Sequence, residues 1–82
     1  PVTYAEVDLG AIAHNIRAVQ NHIGPDVILI AVLKANAYGH GALMVAQTAL
    51  QQGVQRLGVA RPDEGAYLRA NGVRVPILVM NY

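Results

Sequence analysis

Seven consecutive apolar residues, Val27 to Leu33 (VILIAVL), constrain this chain more than any other feature of it. The run lacks polar alternation, is rich in β-branched side chains, and lies between Gly24-Pro25 and Lys34. A strand with one wet face alternates; a continuous apolar run is read as buried on both faces, as in parallel sheets. It is also far shorter than the ~20 residues of a membrane helix.

Around this run, strand-like and helical patterns alternate. Asp8 is a candidate N-cap, and Leu9, Ile12, Ile16, Val19 and Ile23 recur behind it at three- and four-residue spacing. His14, Asn15, Arg17, Gln20 and Asn21 fill the other face, which makes an amphipathic helix closed by Gly24-Pro25. A second helix is expected from about Ala42 to Gln52, with Met44, Val45, Ala49 and Leu50 inward and Gly53 just past its end. Leu57 to Ala60 reads as a short strand. Pro62 suits the first turn of a third helix, where Asp63 and Glu64 meet the positive end of its dipole. Tyr67 and Leu68 supply that helix's apolar contact, Gly72 ends it, and Ile77 to Met80 is the third strand. Strand, helix, strand, helix, strand is the rhythm of parallel α/β architecture with right-handed crossovers. Val2 to Val7 is a further extended piece, suited to the edge of another sheet.

Three strands make a small sheet, and here composition matters. The 82 residues are one domain at most, and a chain that short buries only about 60% of the surface its unfolded form exposes. It is 54% hydrophobic with a mean hydropathy of +0.32, and it has no cysteine for a disulfide or a zinc pattern. Small domains usually rely on such staples. The chain also stops at the end of a strand. It is therefore expected to be a segment of a longer polypeptide. A net charge of +1 leaves no basic stripe for nucleic acid. Pro1 to Leu9 carries Glu6 and Asp8 and no apolar core, so it does not read as a signal peptide. A cytoplasmic protein with no membrane partner is expected.

The chain has five arginines and a single lysine, and that lysine, Lys34, directly follows the apolar run. Parallel α/β proteins gather functional side chains where strands end and βα loops begin. Partial desolvation there disfavours the ammonium form, and a neutral amine is what attack on an aldehyde requires. Position alone fits equally a lysine snorkelling from a strand end into water, which is the commoner arrangement. Gly39 and Gly41 permit a tight turn into the second helix, a weak phosphate signal. Tyr38 and His40 bear polar groups in the same loop, although packing and plain surface polarity are their commoner roles. His14 and His22 read as solvated. Glu6, Asp8 and Asp26 have no metal-ligand spacing, and Walker, Gly-x-Ser-x-Gly and zinc-protease motifs are absent. Residue chemistry thus leads to a candidate Schiff-base lysine and no further.

The run Ala31-Val32-Leu33-Lys34-Ala35-Asn36-Ala37-Tyr38-Gly39-His40-Gly41 closely resembles the cofactor-lysine signature of alanine racemases, fold-type III pyridoxal-phosphate enzymes. The flanks agree: Ala5-Glu6-Val7-Asp8-Leu9 with His14-Asn15 looks like the family's opening. Leu57-Gly58-Val59-Ala60 with Asp63-Glu64, and Pro76-Ile77-Leu78-Val79, look like its second and third barrel strands. The resemblance covers essentially the whole chain.

It implies an α/β fold, the first part of a (β/α)8 barrel over residues 8–82. Residues 1–7 would be a strand pairing with a β-rich C-terminal domain. It further implies a cytoplasmic homodimer that supplies D-alanine for the cell wall peptidoglycan. Lys34 would form the internal aldimine with pyridoxal 5'-phosphate and act as one of two proton-transferring bases. Tyr38 would hydrogen-bond the phosphate, and Val32 and Met80 would line the cofactor pocket, the family often having leucine where Met80 stands. The main phosphate cup would come from later loops, which discounts the Gly39/Gly41 turn as an anion site. The second base would be a tyrosine of the partner subunit, matched by none of Tyr4, Tyr38, Tyr67 and Tyr82. The 82 residues alone are therefore expected to be inactive. Racemases of serine or of broad specificity, a non-catalytic single-barrel pyridoxal-phosphate binder, and an assembly module with an idle lysine are the competing readings.

Overall fold

A computed structural model of the chain describes residues 9–33 and 40–80, residue 40 by its backbone alone. The elements are α1 (Leu9–Ile23), β1 (Ile30–Val32), α2 (His40–Gln51), β2 (Arg56–Val59), α3 (Pro62–Ala70) and β3 (Ile77–Val79). The alternation expected from the sequence is the alternation observed. The proposed N-cap Asp8 and the extended piece Val2 to Val7 lie outside the described residues.

In α1 the apolar spacing forms a real but incomplete stripe. Ala13 is buried and Ile12, Ile16 and Ile23 are half-buried, whereas Val19, on the same spacing, is 43% exposed. The helix packs mainly on α2, with Arg17 Nη1 donating to Gln52 Oε1 (3.0 Å) and Gln20 Nε2 to the Gln52 carbonyl (2.8 Å). The apolar run is a shorter strand than expected. Its pairing begins only at Ile30, because Ile30 is opposite Arg56, the first residue of β2. Upstream of Arg56 the chain is still turning out of α2. Val27 and Ile28 therefore have no strand to lie against and are about half exposed.

α2 begins two residues before the expected Ala42, and its inward face differs from expectation. Ala42, Ala46 and Ala49 are its buried line, Val45 and Leu50 flank it half-buried, and Met44 points outward. Residues 42, 46 and 49 follow the helical repeat, while position 44 falls on the opposite side. The alanines join the core cluster, and the helix packs mainly against α1. Two helices end alike: Gly53 (φ +88°) and Gly72 (φ +94°) adopt the left-handed conformation that glycine takes without a Cβ penalty. Beyond them, Val54 N–H donates to the Ala49 carbonyl (3.2 Å) and Val73 N–H to the Leu68 carbonyl (3.1 Å).

The strands form one parallel sheet in the order β1-β2-β3, with Val32 opposite Gly58 and Gly58 opposite Leu78. A single core joins the sheet to the helices: Leu57, Val59 and Leu68 are essentially inaccessible and touch one cluster with Leu33, Ala46 and Ala49. Alternation puts Leu57 and Val59 on the helix side and Gly58 on the other. Among the described residues the helices thus cover one face of the sheet, and the other face is open in this segment. A sequential parallel sheet with its helices on one face is the wall of a (β/α)8 barrel; a doubly wound sheet carries helices on both faces.

Candidate active site

The carboxyl ends of the strands are held more firmly than the short strand bounds suggest. Leu33 N–H donates to the Gly58 carbonyl (2.8 Å) and Met80 N–H to the Val59 carbonyl (2.7 Å), so pairing runs one residue past β1 and past β3. Leu33 is only 4% exposed and anchored in the core. The residue just before Lys34 is thus fixed by backbone and side chain alike. Lys34, Tyr38 and Gly39, with the side chain of His40, lie outside the described residues.

Of the expected cofactor-pocket residues, Val32 and Met80 are described, and the fold brings them together. They come from the two outer strands, yet both close over Gly58 of the central strand. An ideal Cβ on Gly58 would stand 3.2 Å from Val32 Cγ2 and 3.3 Å from Met80 Sδ. The result is a low apolar floor on the open face of the sheet, at the strand ends, with Met80 still 39% exposed. Sequence reasoning quoted Gly58 merely as part of a strand and missed its place in this floor. The available signal was a glycine inside an apolar strand, which marks close approach of a ligand or of neighbouring groups.

The Asp63-Glu64 pair serves the helix, as its position after Pro62 suggested. Glu64 Oε1 accepts from the Arg61 backbone N–H (2.8 Å), the N3-to-N-cap half of a capping box. Asp63 takes two hydrogen bonds from the Arg61 guanidinium, Nε to Oδ1 at 3.0 Å and Nη2 to Oδ2. That bonding holds the exposed Asp63 carboxyl below its ordinary value. Both carboxylates rim a cavity of about 190 Å³ walled by Leu33, Ala42, Val59, Tyr67 and Leu68, on the helix side of the sheet. A larger cavity, about 490 Å³, lies at the opposite end of the strands among Gln20, Ile23, Val27, Ile28, Val54 and Gln55. In barrels that end serves stability, and chemistry sits at the carboxyl ends.

Four of the five arginines make structural hydrogen bonds: beside Arg17 and Arg61, Arg69 donates to the Val73 carbonyl (2.7 Å) and Arg74 to the Arg69 carbonyl (3.0 Å). His14 and His22 are exposed, as expected. Among the described residues there is no cluster of metal-ligating side chains and no helix long and apolar enough to cross a membrane.

Comparison with known proteins agrees with this geometry. The family model for the alanine racemase N-terminal domain matches residues 7–82. The chain belongs to the alanine racemase family. It is 52% identical over 80 residues to the alanine racemase of Anoxybacillus flavithermus, covering 95% of this chain and 21% of that protein. With the alanine racemase of Mycobacterium bovis it shares 55% identity over 74 residues, or 90% of this chain and 19% of the other. A crystal structure of alanine racemase from Bacillus anthracis with bound L-Ala-P superposes with a TM-score of 0.85 at 44% identity, over 100% of this chain and 22% of that one. The fold is accordingly the first part of the alanine racemase barrel, and the chain spans about a fifth of the length of these relatives.

Proposed function

We propose that this chain is the cofactor-lysine segment of a pyridoxal-phosphate-dependent racemase that interconverts L- and D-alanine. The observation that carries the proposal is the apolar floor of Val32 and Met80 over Gly58, one strand residue away from the point where Lys34 follows the anchored Leu33. A flat heteroaromatic ring suits such a floor: the surface is low, apolar and half-open, and the Asp63 and Glu64 carboxylates are engaged by Arg61 on the other side of the sheet. Bound there, pyridoxal phosphate supplies the electron sink that makes an amino acid's Cα proton removable.

The chain's own residues then have distinct tasks. Lys34 Nζ would hold the cofactor and would take or return the proton at Cα on one face. Tyr38 donates its phenol hydrogen to the phosphate. Val32 and Met80 carry the ring and keep water from one side of it. The opposing base and the remaining phosphate and ring contacts come from elsewhere in the racemase, the base being a tyrosine of the second subunit in a homodimer. Residues 1–7 pair with a C-terminal β domain, and the protein works in the cytoplasm. Alanine is favoured over serine because the relatives reported above bear that name, and racemisation over a carrier role for the same reason.

The test is to add pyridoxal phosphate to the full-length protein, reduce with borohydride, and map the adduct by peptide mass spectrometry. Stoichiometric labelling of Lys34, with alanine racemisation before reduction, is expected. Labelling elsewhere, or none, defeats the proposal. The 82-residue chain, with one base of two, should label without racemising, and measurable racemisation by it would refute that division of labour.

A further inference from the structure

We infer that Gly58 is a positioning residue for the cofactor: its missing side chain lets Met80 and Val32 close over the central strand from either side and so sets the height of the apolar floor. The inference rests on the proposal that this floor receives pyridoxal phosphate. Gly58 is buried in the middle of the central strand, where glycine packs poorly and lowers strand stability. The turn geometry that usually calls for glycine is absent, since Gly58 is paired on both sides and its φ is not positive. What it provides is room. Val32 Cγ2 and Met80 Sδ occupy the space a Cβ would claim, at 3.2 and 3.3 Å.

The two neighbours respond differently to an added methyl. Met80 is flexible and half-exposed, so its thioether swings away at little cost and the floor opens on that side. Val32 is β-branched, with a stiff χ1, and stands one residue before the anchored Leu33. Pressure on it is passed along the strand toward Lys34. Gly58→Ala should therefore raise and split the floor while leaving the helix-covered face intact, because Leu57 and Val59 point the other way.

The experiment compares the full-length protein with Gly58→Ala, Met80→Ala and the double variant. Pyridoxal-phosphate affinity is followed by the cofactor's absorbance, Lys34 labelling by borohydride and mass spectrometry, and folding of the cofactor-free proteins by thermal melting. Gly58→Ala should weaken cofactor binding about tenfold or more, the effect of an overpacked contact. In the Met80→Ala background the same substitution should cost severalfold less than in the wild type, because only the pressure on Val32 then remains. Wild-type labelling at Lys34 with an unimpaired Gly58→Ala variant overturns the inference and leaves the proposed function standing. Failure of the wild type to label Lys34 overturns both. Equal losses in the two backgrounds, or a Gly58→Ala protein that unfolds and is not restored by Met80→Ala, mean that the glycine serves backbone packing alone and overturn the inference.

Discussion

The two faces of the sheet use the same strands for opposite ends. On the helix side, Leu57 and Val59 of β2 are 0% and 1% exposed, and α3 lies so close that a Cβ on Gly65 would stand 3.4 Å from Ile77 Cγ2. On the other side, one residue along the same strand, Gly58 has no side chain, and Leu78 and Met80 are each 39% exposed. Both faces contain a glycine that permits close approach. On the covered face a helix uses it; on the open face two side chains do, and they form a surface. The contrast teaches that the packed core and the proposed cofactor floor are separated by strand alternation, with period two, and not by distance along the chain.

The largest expected effect tests the chemical face. Lys34→Ala in the full-length protein should lower alanine racemisation by at least about a thousandfold, since it removes both a cofactor anchor and a proton-transferring base. A coupled D-alanine assay measures this, and a variant keeping more than a tenth of the rate would break the assignment of chemistry to that strand end. Next comes the covered face. Leu68→Ala empties a site with no solvent access and should cost about 3 kcal/mol of stability, read as a lower urea midpoint. A loss under about 1 kcal/mol would mean that this core is not where stability resides.

Met80→Ala sharpens the contrast from the open side. Its stability cost should stay below about 1 kcal/mol, as for a partly exposed side chain, while cofactor affinity measured by absorbance titration falls severalfold. Equal losses in both would erase the distinction between the faces. Asp63 gives the smallest effect. Arg61 holds its folded-state pKa below the unfolded value of about 3.9. The pair thus adds stability above that pH and loses it as pH falls through the depressed folded value. Denaturation midpoints of the wild type and Asp63→Asn should differ slightly at neutral pH and converge in acid; the gap is small because both partners are exposed, about two-thirds by side-chain area. A gap that persists unchanged below the acid limb would show that the ion pair is not its cause.

Much of the architecture was legible in the residues. The punctuation by Gly24-Pro25, Gly53, Pro62 and Gly72 marks helix boundaries that the structure reproduces to within two residues. The lone lysine behind an apolar run pointed to a strand-end amine, and the eleven-residue signature around it pointed to the family. Less legible was which apolar residues are inward. Val19 sits on the apolar stripe of α1 and Met44 falls opposite the buried alanines of α2, yet both are apolar and exposed, because burial depends on what lies opposite and not on the residue's own hydrophobicity. The role of Gly58 was also hidden, since Val32 and Met80 are 26 and 22 residues away from it in the chain.

By itself, the sequence determined the alternation of strands and helices and the helix ends, and it singled out Lys34 as the candidate amine, because periodicity, capping and side-chain chemistry are local. Strand order and register, the covering of one face among the described residues, the trimming of the first strand to Ile30–Val32, and the approach of Val32 and Met80 to Gly58 were decided by tertiary structure. Each depends on which strands pair and which helices pack beside them, and such contacts exist only once distant parts of the chain have come together.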